Sequence, residues 1–182
     1  MKVSKEQVAD NRQRILEAAA RLFRERGFEG VTVAQIMAAA SLTHGAFYGH
    51  FSSKEDLITQ SFAHVLFPEV EQPDAGKSMA DYAAGYLSAQ HRDEPGNGCL
   101  FSTLGTEAVR TSGGVRGTMT QALKRQIEAF SQSAPGDTTQ ERRRAAIAGW
   151  SAMVGALMLA RIADDPALSD EILTETKASL RR

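Results

Sequence analysis

Residues 32–57 read TVAQIMAAASLTHGAFYGHFSSKEDL, and this stretch decides the fold. Thr32 stands three residues before Gln35, the spacing of a reciprocal capping box, so a helix is expected with Ile36 and Met37 facing inward. A turn follows at 40–42, and Thr43 then caps a short third helix to about His50. Ser52 with Glu55 forms another S-x-x-E box, which opens a fourth helix to about Leu66. The third helix is too short to be stable alone, because isolated helices below roughly 12 residues are marginal. It must be held by packing, and Phe47 and Phe51, four apart, suit the buried side with Ile36 and Leu22 as partners. The opposite side then shows His44, Gly45 and Tyr48. Two short helices joined by a tight turn, with one small polar face outward, are what a helix-turn-helix presents to DNA.

The residue types on that face suit the task. Gly45 lacks a side chain and lets the backbone approach a groove closely. Thr43 and the first amides of the helix favour a phosphate. Tyr48, His50 and Lys54 are donors to phosphates, which set register without reading sequence, while His44 and the residues around Gly45 are the expected base readers.

Outward from this stretch, helical spacing dominates and no segment alternates as a strand would. The first helix is expected from about Lys5 to Arg26, with Ile15, Ala18, Ala19, Leu22 and Phe23 as its apolar stripe and Gly27 as a left-handed cap. Residues 68–76 hold two prolines and read as a loop. Helices are then expected over 78–91, 99–111 and 115–131, with breaks at 92–98, at 112–114 and at Pro135-Gly136. Asp137 and Gln140 are placed to cap a long helix to about Ala163, and Asp165-Pro166 or Ser169 opens the last one.

Composition narrows the classes. The 182 residues carry 21 Lys and Arg against 22 Asp and Glu, a net charge of −1, which excludes a general polycation but not a local basic face. Residues 1–55 lean the other way, with eight Lys and Arg against six acids. One cysteine, Cys99, excludes an intrachain disulfide and fits a reducing, cytoplasmic setting. The first residues lack the apolar core of a signal peptide. The longest apolar run, 145–160, has 16 residues, short of the roughly 20 that a membrane span needs, and reads as a buried helix. No metal, cofactor or catalytic residue is expected: Gly-rich phosphate loops, H-E-x-x-H and G-x-S-x-G are absent, and His44, His50, His64 and His91 lack metal-ligand company.

THGAFYGHFSSKEDL at 43–57 and RQRILEAAARLFRERGFEGVTVAQI at 12–36 resemble the TetR (tetracycline-repressor) family of bacterial transcriptional regulators over roughly residues 10–60. The resemblance implies an all-α chain with an N-terminal three-helix DNA-binding domain, placed at 1–55, and a C-terminal helical ligand-binding and dimerisation domain, placed at 56–182. It implies DNA contacts by Thr32, Thr43, His44, Gly45, Tyr48, His50 and Lys54, a homodimer on a near-palindromic operator, and release by a small-molecule effector. Two departures stand out: Ser41 occupies a turn position where the family often has Gly, and Gly49 weakens the helix interior. The alternative is a helical interaction module of the same fold that has lost specific DNA binding.

The remaining two thirds supply candidates. Tyr82, Tyr86, Phe101, Leu104, Met119, Leu123 and Trp150 are the candidate ligand-binding residues, with Glu107 and His91 as polar anchors. Small residues in 145–160 and the last helix, 168–180, suit a four-helix contact between two copies. Cys99, at the head of a helix, is the candidate redox sensor.

Overall fold

The computed structural model describes residues 4–68, 77–111 and 113–181. Of the loop expected at 68–76, residues 69–76 lie outside the described residues; of the break expected at 112–114, Ser112 does, while Gly113 and Gly114 are not a break but the first residues of α7. The described chain is all-α: α1 Lys5–Arg26, α2 Val33–Ala39, a 3₁₀ helix His44–Gly49, α3 Lys54–Leu66, α4 Met79–Tyr86, α5 Ala89–Asp93, a 3₁₀ turn Pro95–Asn97, α6 Leu100–Ala108, α7 Gly113–Ser131, α8 Thr139–Ile162 and α9 Pro166–Ser179.

Local chemistry explains most of the boundaries. Ser4 caps α1 through the Gln7 amide, and Gly27 ends it at φ 74°, ψ 171°; the φ is positive as expected, but the ψ is extended rather than left-handed helical. Thr32 and Gln35 form the expected reciprocal box. Two other caps sit one residue later than the sequence suggested. Ser53, not Ser52, caps α3 by accepting from the Asp56 amide, and the Asp56 carboxylate takes the Ser52 amide at 2.9 Å and its hydroxyl at 3.0 Å. Thr138 with Glu141, not Asp137 with Gln140, forms the box that opens α8. At α8 the reciprocal pair wins, whereas at α3 the two serines share the work, Ser53 taking the Asp56 amide and Ser52 donating to the Asp56 carboxylate.

The helix expected over 78–91 is two helices. Tyr86 ends α4, Leu87 turns out of helical geometry, and Ser88 caps α5 through the His91 amide. The turn 95–97 then lies against α1. Its Gly96 is buried, and a Cβ there would stand 2.6 Å from Glu25 Oε1 and 3.2 Å from Arg21 Cγ, so a larger residue would have to push the Glu25 side chain aside.

Two apolar clusters form the interior. The first joins α1, α2, the 3₁₀ helix and α3 to Leu100, Leu104, Ala108, Val115 and Met119 of α6 and α7. The second gathers Met79, Ala83 and Tyr86 with Phe130, Trp150, Met153 and Leu157 among α4, α7, α8 and α9. The helix α8 is apolar enough over its 24 residues to cross a membrane by length and composition, yet seven of its residues are buried against neighbouring helices. Ile147, Leu159, Ile162 and Leu168 remain exposed on α8 and at the start of α9.

Candidate nucleic-acid interface and cavity

The reading face is built on a buried aromatic platform. Phe47 and Phe51 are 1% and 2% exposed and stack at 5.8 Å, so the residues between them have only one way to point. Tyr48 is 71% exposed, with its ring edge-on to Phe47 at 5.2 Å and to His44 at 6.3 Å. Thr32, Thr43, His44 and Gly45 are exposed, and His50 and Lys54 are half-buried. Six of the seven residues expected at DNA therefore lie on or beside one short, solvent-facing segment between α2 and α3, whereas Thr32 sits at the opposite end of α2 as its cap. An added Cβ at Gly45 or Gly49 meets nothing within 4 Å, so the protein's own packing requires neither glycine.

The segment differs from expectation in kind. It is a 3₁₀ helix, and the Thr43 side chain makes no capping bond. Two glycines in six residues and a missing cap remove the propensity that would sustain an α-helix, and the tighter 3₁₀ coil is common in such short pieces. Ser41 in the preceding turn sits at φ 58°, where the Leu42 amide donates back to the Met37 carbonyl at 2.8 Å.

Arg12, which sequence reading passed over, anchors this segment. Its guanidinium lies 4.6 Å from the Phe51 ring centre, donates to the His50 carbonyl at 2.9 Å and reaches the Gln60 side chain. Gln60 in turn donates to Asp56 at 2.6 Å. Desolvation, helped by the nearby Arg12 cation, lowers the His50 pKa. Hydrogen bonds from the Ser52 amide and from Gln60 lower that of Asp56. The only signal for Arg12 in the sequence was its cationic side chain on an otherwise amphipathic first helix.

A cavity of about 660 Å³ opens among α3, α4, α6, α7 and α8. Of the candidate ligand residues, Tyr82, Tyr86, Phe101 and Trp150 line it. Leu104 and Met119 are instead buried in the first apolar cluster, and Leu123 packs against the second. Tyr82 and Tyr86 stack at 5.7 Å, and Trp150 meets Tyr86 edge-on at 5.3 Å. Burial raises the Tyr86 pKa far above its ordinary value, so the phenol keeps its proton.

His91 and Cys99 share the cavity wall. His91 Nδ1 is 2.7 Å from the Tyr86 carbonyl, and Nε2 accepts from the Cys99 amide at 2.9 Å, which fixes the neutral ring with its proton on Nδ1. Desolvation lowers its pKa, opposed by the Tyr86 carbonyl and reinforced by Arg161. Cys99 is a free thiol, half-buried at the start of α6. Glu107 is not part of the cavity wall; its carboxylate accepts from the Phe28 amide at 2.7 Å and ties α6 to the α1–α2 turn.

Comparison with known proteins agrees with this geometry. The family described as bacterial regulatory proteins, tetR family, matches residues 15–60. The HTH-type transcriptional repressor DhaR of Mycobacterium sp. (strain GP1) is 30% identical over 124 residues, 65% of this chain and 63% of that one. The HTH-type transcriptional regulator AcrR of Shigella flexneri is 31% identical over 83 residues, 46% of this chain and 36% of that one. The chain thus spans less than two thirds of the length of these relatives. Among solved structures, reduced NemR of E. coli superposes with a TM-score of 0.71 at 22% identity, covering 94% of this chain and 95% of that one. A regulator from Cytophaga hutchinsonii gives 0.71 at 22% identity, covering 100% and 97%. These likenesses extend the shared fold from the DNA-binding segment to the whole chain. With the helix-turn-helix and the sequence match in agreement, residues 15–60 carry the DNA-binding segment of the tetR family of bacterial regulatory proteins, and the chain as a whole shares its fold with the solved regulators.

Proposed function

We propose that this protein is a sequence-specific DNA-binding regulator, a homodimeric repressor released from a near-palindromic operator by a small molecule. The observation that carries this reading is the exposed His44, Gly45 and Tyr48 surface on the buried Phe47–Phe51 platform. Thr32, Thr43, Tyr48, His50 and Lys54 serve as phosphate contacts on this reading, with His44 and the Gly45 backbone at base edges. Residues 1–55 form the DNA-binding part and 56–182 the effector and dimerisation part. The exposed Ile147, Leu159, Ile162 and Leu168 supply the apolar face against which a second copy docks through α8 and α9. Two reading segments then sit one DNA turn apart, roughly 34–36 Å. Effector binding in the cavity favours a state in which that spacing no longer fits both half-sites. Such a protein works beside the chromosome, in the cytoplasm.

Selection of bound fragments from the source genome tests this. The reading predicts recovery of a short inverted repeat bound by two copies. Recovery of fragments without shared sequence contradicts it. Cys99 lines the same cavity wall, and its reading as a redox sensor requires that Cys99→Ser abolish any loss of DNA binding caused by oxidant.

A further inference from the structure

The cavity is aromatic on one side and cationic on the other. Arg24, Lys77 and Arg125 line it against one carboxylate among the described residues, Asp81. Asp81 is exposed and already accepts from the Ser78 hydroxyl at 2.7 Å. Arg125 lies over the Phe67 ring at 4.5 Å. Arg24 is the cation of most interest because it does not belong to the effector part at all. It projects from α1, the first helix of the DNA-binding part, and burial lowers its pKa. Its Nε donates to the Gly96 carbonyl at 2.7 Å, and the neighbouring Glu25 is held by Arg21 at 3.0 Å. Among the described residues, Arg24 makes no ion pair. One further donor lies in the same wall. The Tyr86 hydroxyl is buried on a residue only 5% exposed, with the Cys99 and Ser102 side chains as its polar neighbours.

We propose, resting on the regulator reading above, that the effector is a planar aromatic carboxylate. Its ring lies against Tyr82, Tyr86 and Trp150, and its carboxylate takes the free edge of the Arg24 guanidinium. A guanidinium binds a carboxylate through two parallel hydrogen bonds, which an uncharged isostere cannot reproduce. Because Arg24 belongs to α1 and is also bonded to the turn 95–97, which packs beside Glu25 and Arg21, the carboxylate acts on α1 directly. Arg24 is thus both the specificity residue and the lever on the DNA-binding part.

Calorimetric titration of the full chain with biphenyl-4-carboxylate and with its neutral counterpart, biphenyl-4-carboxamide, tests the chemistry. The acid should bind at least about tenfold tighter than the amide. Arg24→Gln should reduce that preference to about twofold or less, whereas Arg24→Lys, which keeps the charge, should retain part of it. Trp150→Ala should weaken both compounds alike. Thermal melting of each variant separates lost binding from lost folding. Equal binding of the two compounds, binding of neither, or a preference that survives Arg24→Gln in a folded protein overturns the proposal. The acid should also release bound DNA in the wild type and fail to do so in Arg24→Gln. Discrimination of the acid by a protein that binds no DNA contradicts the regulator reading instead, and leaves the chemistry of the cavity standing.

Discussion

Ser41 holds a left-handed conformation, φ 58°, in the turn between α2 and the reading segment. A side chain there costs about 1–2 kcal/mol, of which glycine's greater unfolded freedom returns only part. Ser41→Gly should therefore stabilise the protein by about 0.5–1 kcal/mol in urea denaturation. A loss of stability would show that the serine side chain contributes more than its backbone strain. His91 makes a second prediction at this scale. Its folded pKa is depressed, so below about pH 6.5 the unfolded chain binds the proton more readily. Stability is intact above that pH, falls as pH drops toward the folded pKa, and then levels off. His50 shifts in the same direction and adds to the slope. Denaturation midpoints between pH 7.5 and pH 5 should fall, and fall less in His91→Gln; identical slopes would remove His91 from the account.

At the scale of elements, the reading segment depends on partners distant in sequence. Arg12→Ala removes the bond to His50 and the contact with Phe51, and should cost about 1–2 kcal/mol of stability while weakening DNA binding. Unchanged affinity in a destabilised variant would mean that the segment does not need this anchor. Ser53→Ala should cost about 1 kcal/mol by uncapping α3. The helix-turn-helix was legible in the sequence because its signals are local. Thr32 with Gln35, and Phe47 with Phe51, act across three or four residues. Arg12 was not legible because its partners lie 38 and 48 positions away. The choice between Ser52 and Ser53 depends on which carboxylate, Glu55 or Asp56, turns back onto the chain, and spacing alone leaves both open.

At the scale of the molecule, the cavity and the DNA-binding part are joined by few polar ties. Glu107 holds the Phe28 amide, and Arg24 holds the Gly96 carbonyl. Apolar contact of α6 and α7 with α1 and α3 supplies the rest of the junction. Tyr82, Tyr86, Phe101 and Trp150 were recognised as pocket candidates by their size, but Leu104, Met119 and Leu123 have the same periodicity and face other interiors. Helical spacing tells which residues share a face, not which neighbour that face meets. Arg24 was hidden for the same reason, since nothing in α1 announces that its last turn reaches a cavity built by later helices. The measurement closest to the central claim is fluorescence anisotropy of the full chain on its selected DNA site, with salt varied and Tyr48→Ala alongside. The account predicts tight binding that weakens steeply with salt and is lost in a folded Tyr48→Ala. Binding by Tyr48→Ala as tight as wild type, with the same salt slope, would contradict it.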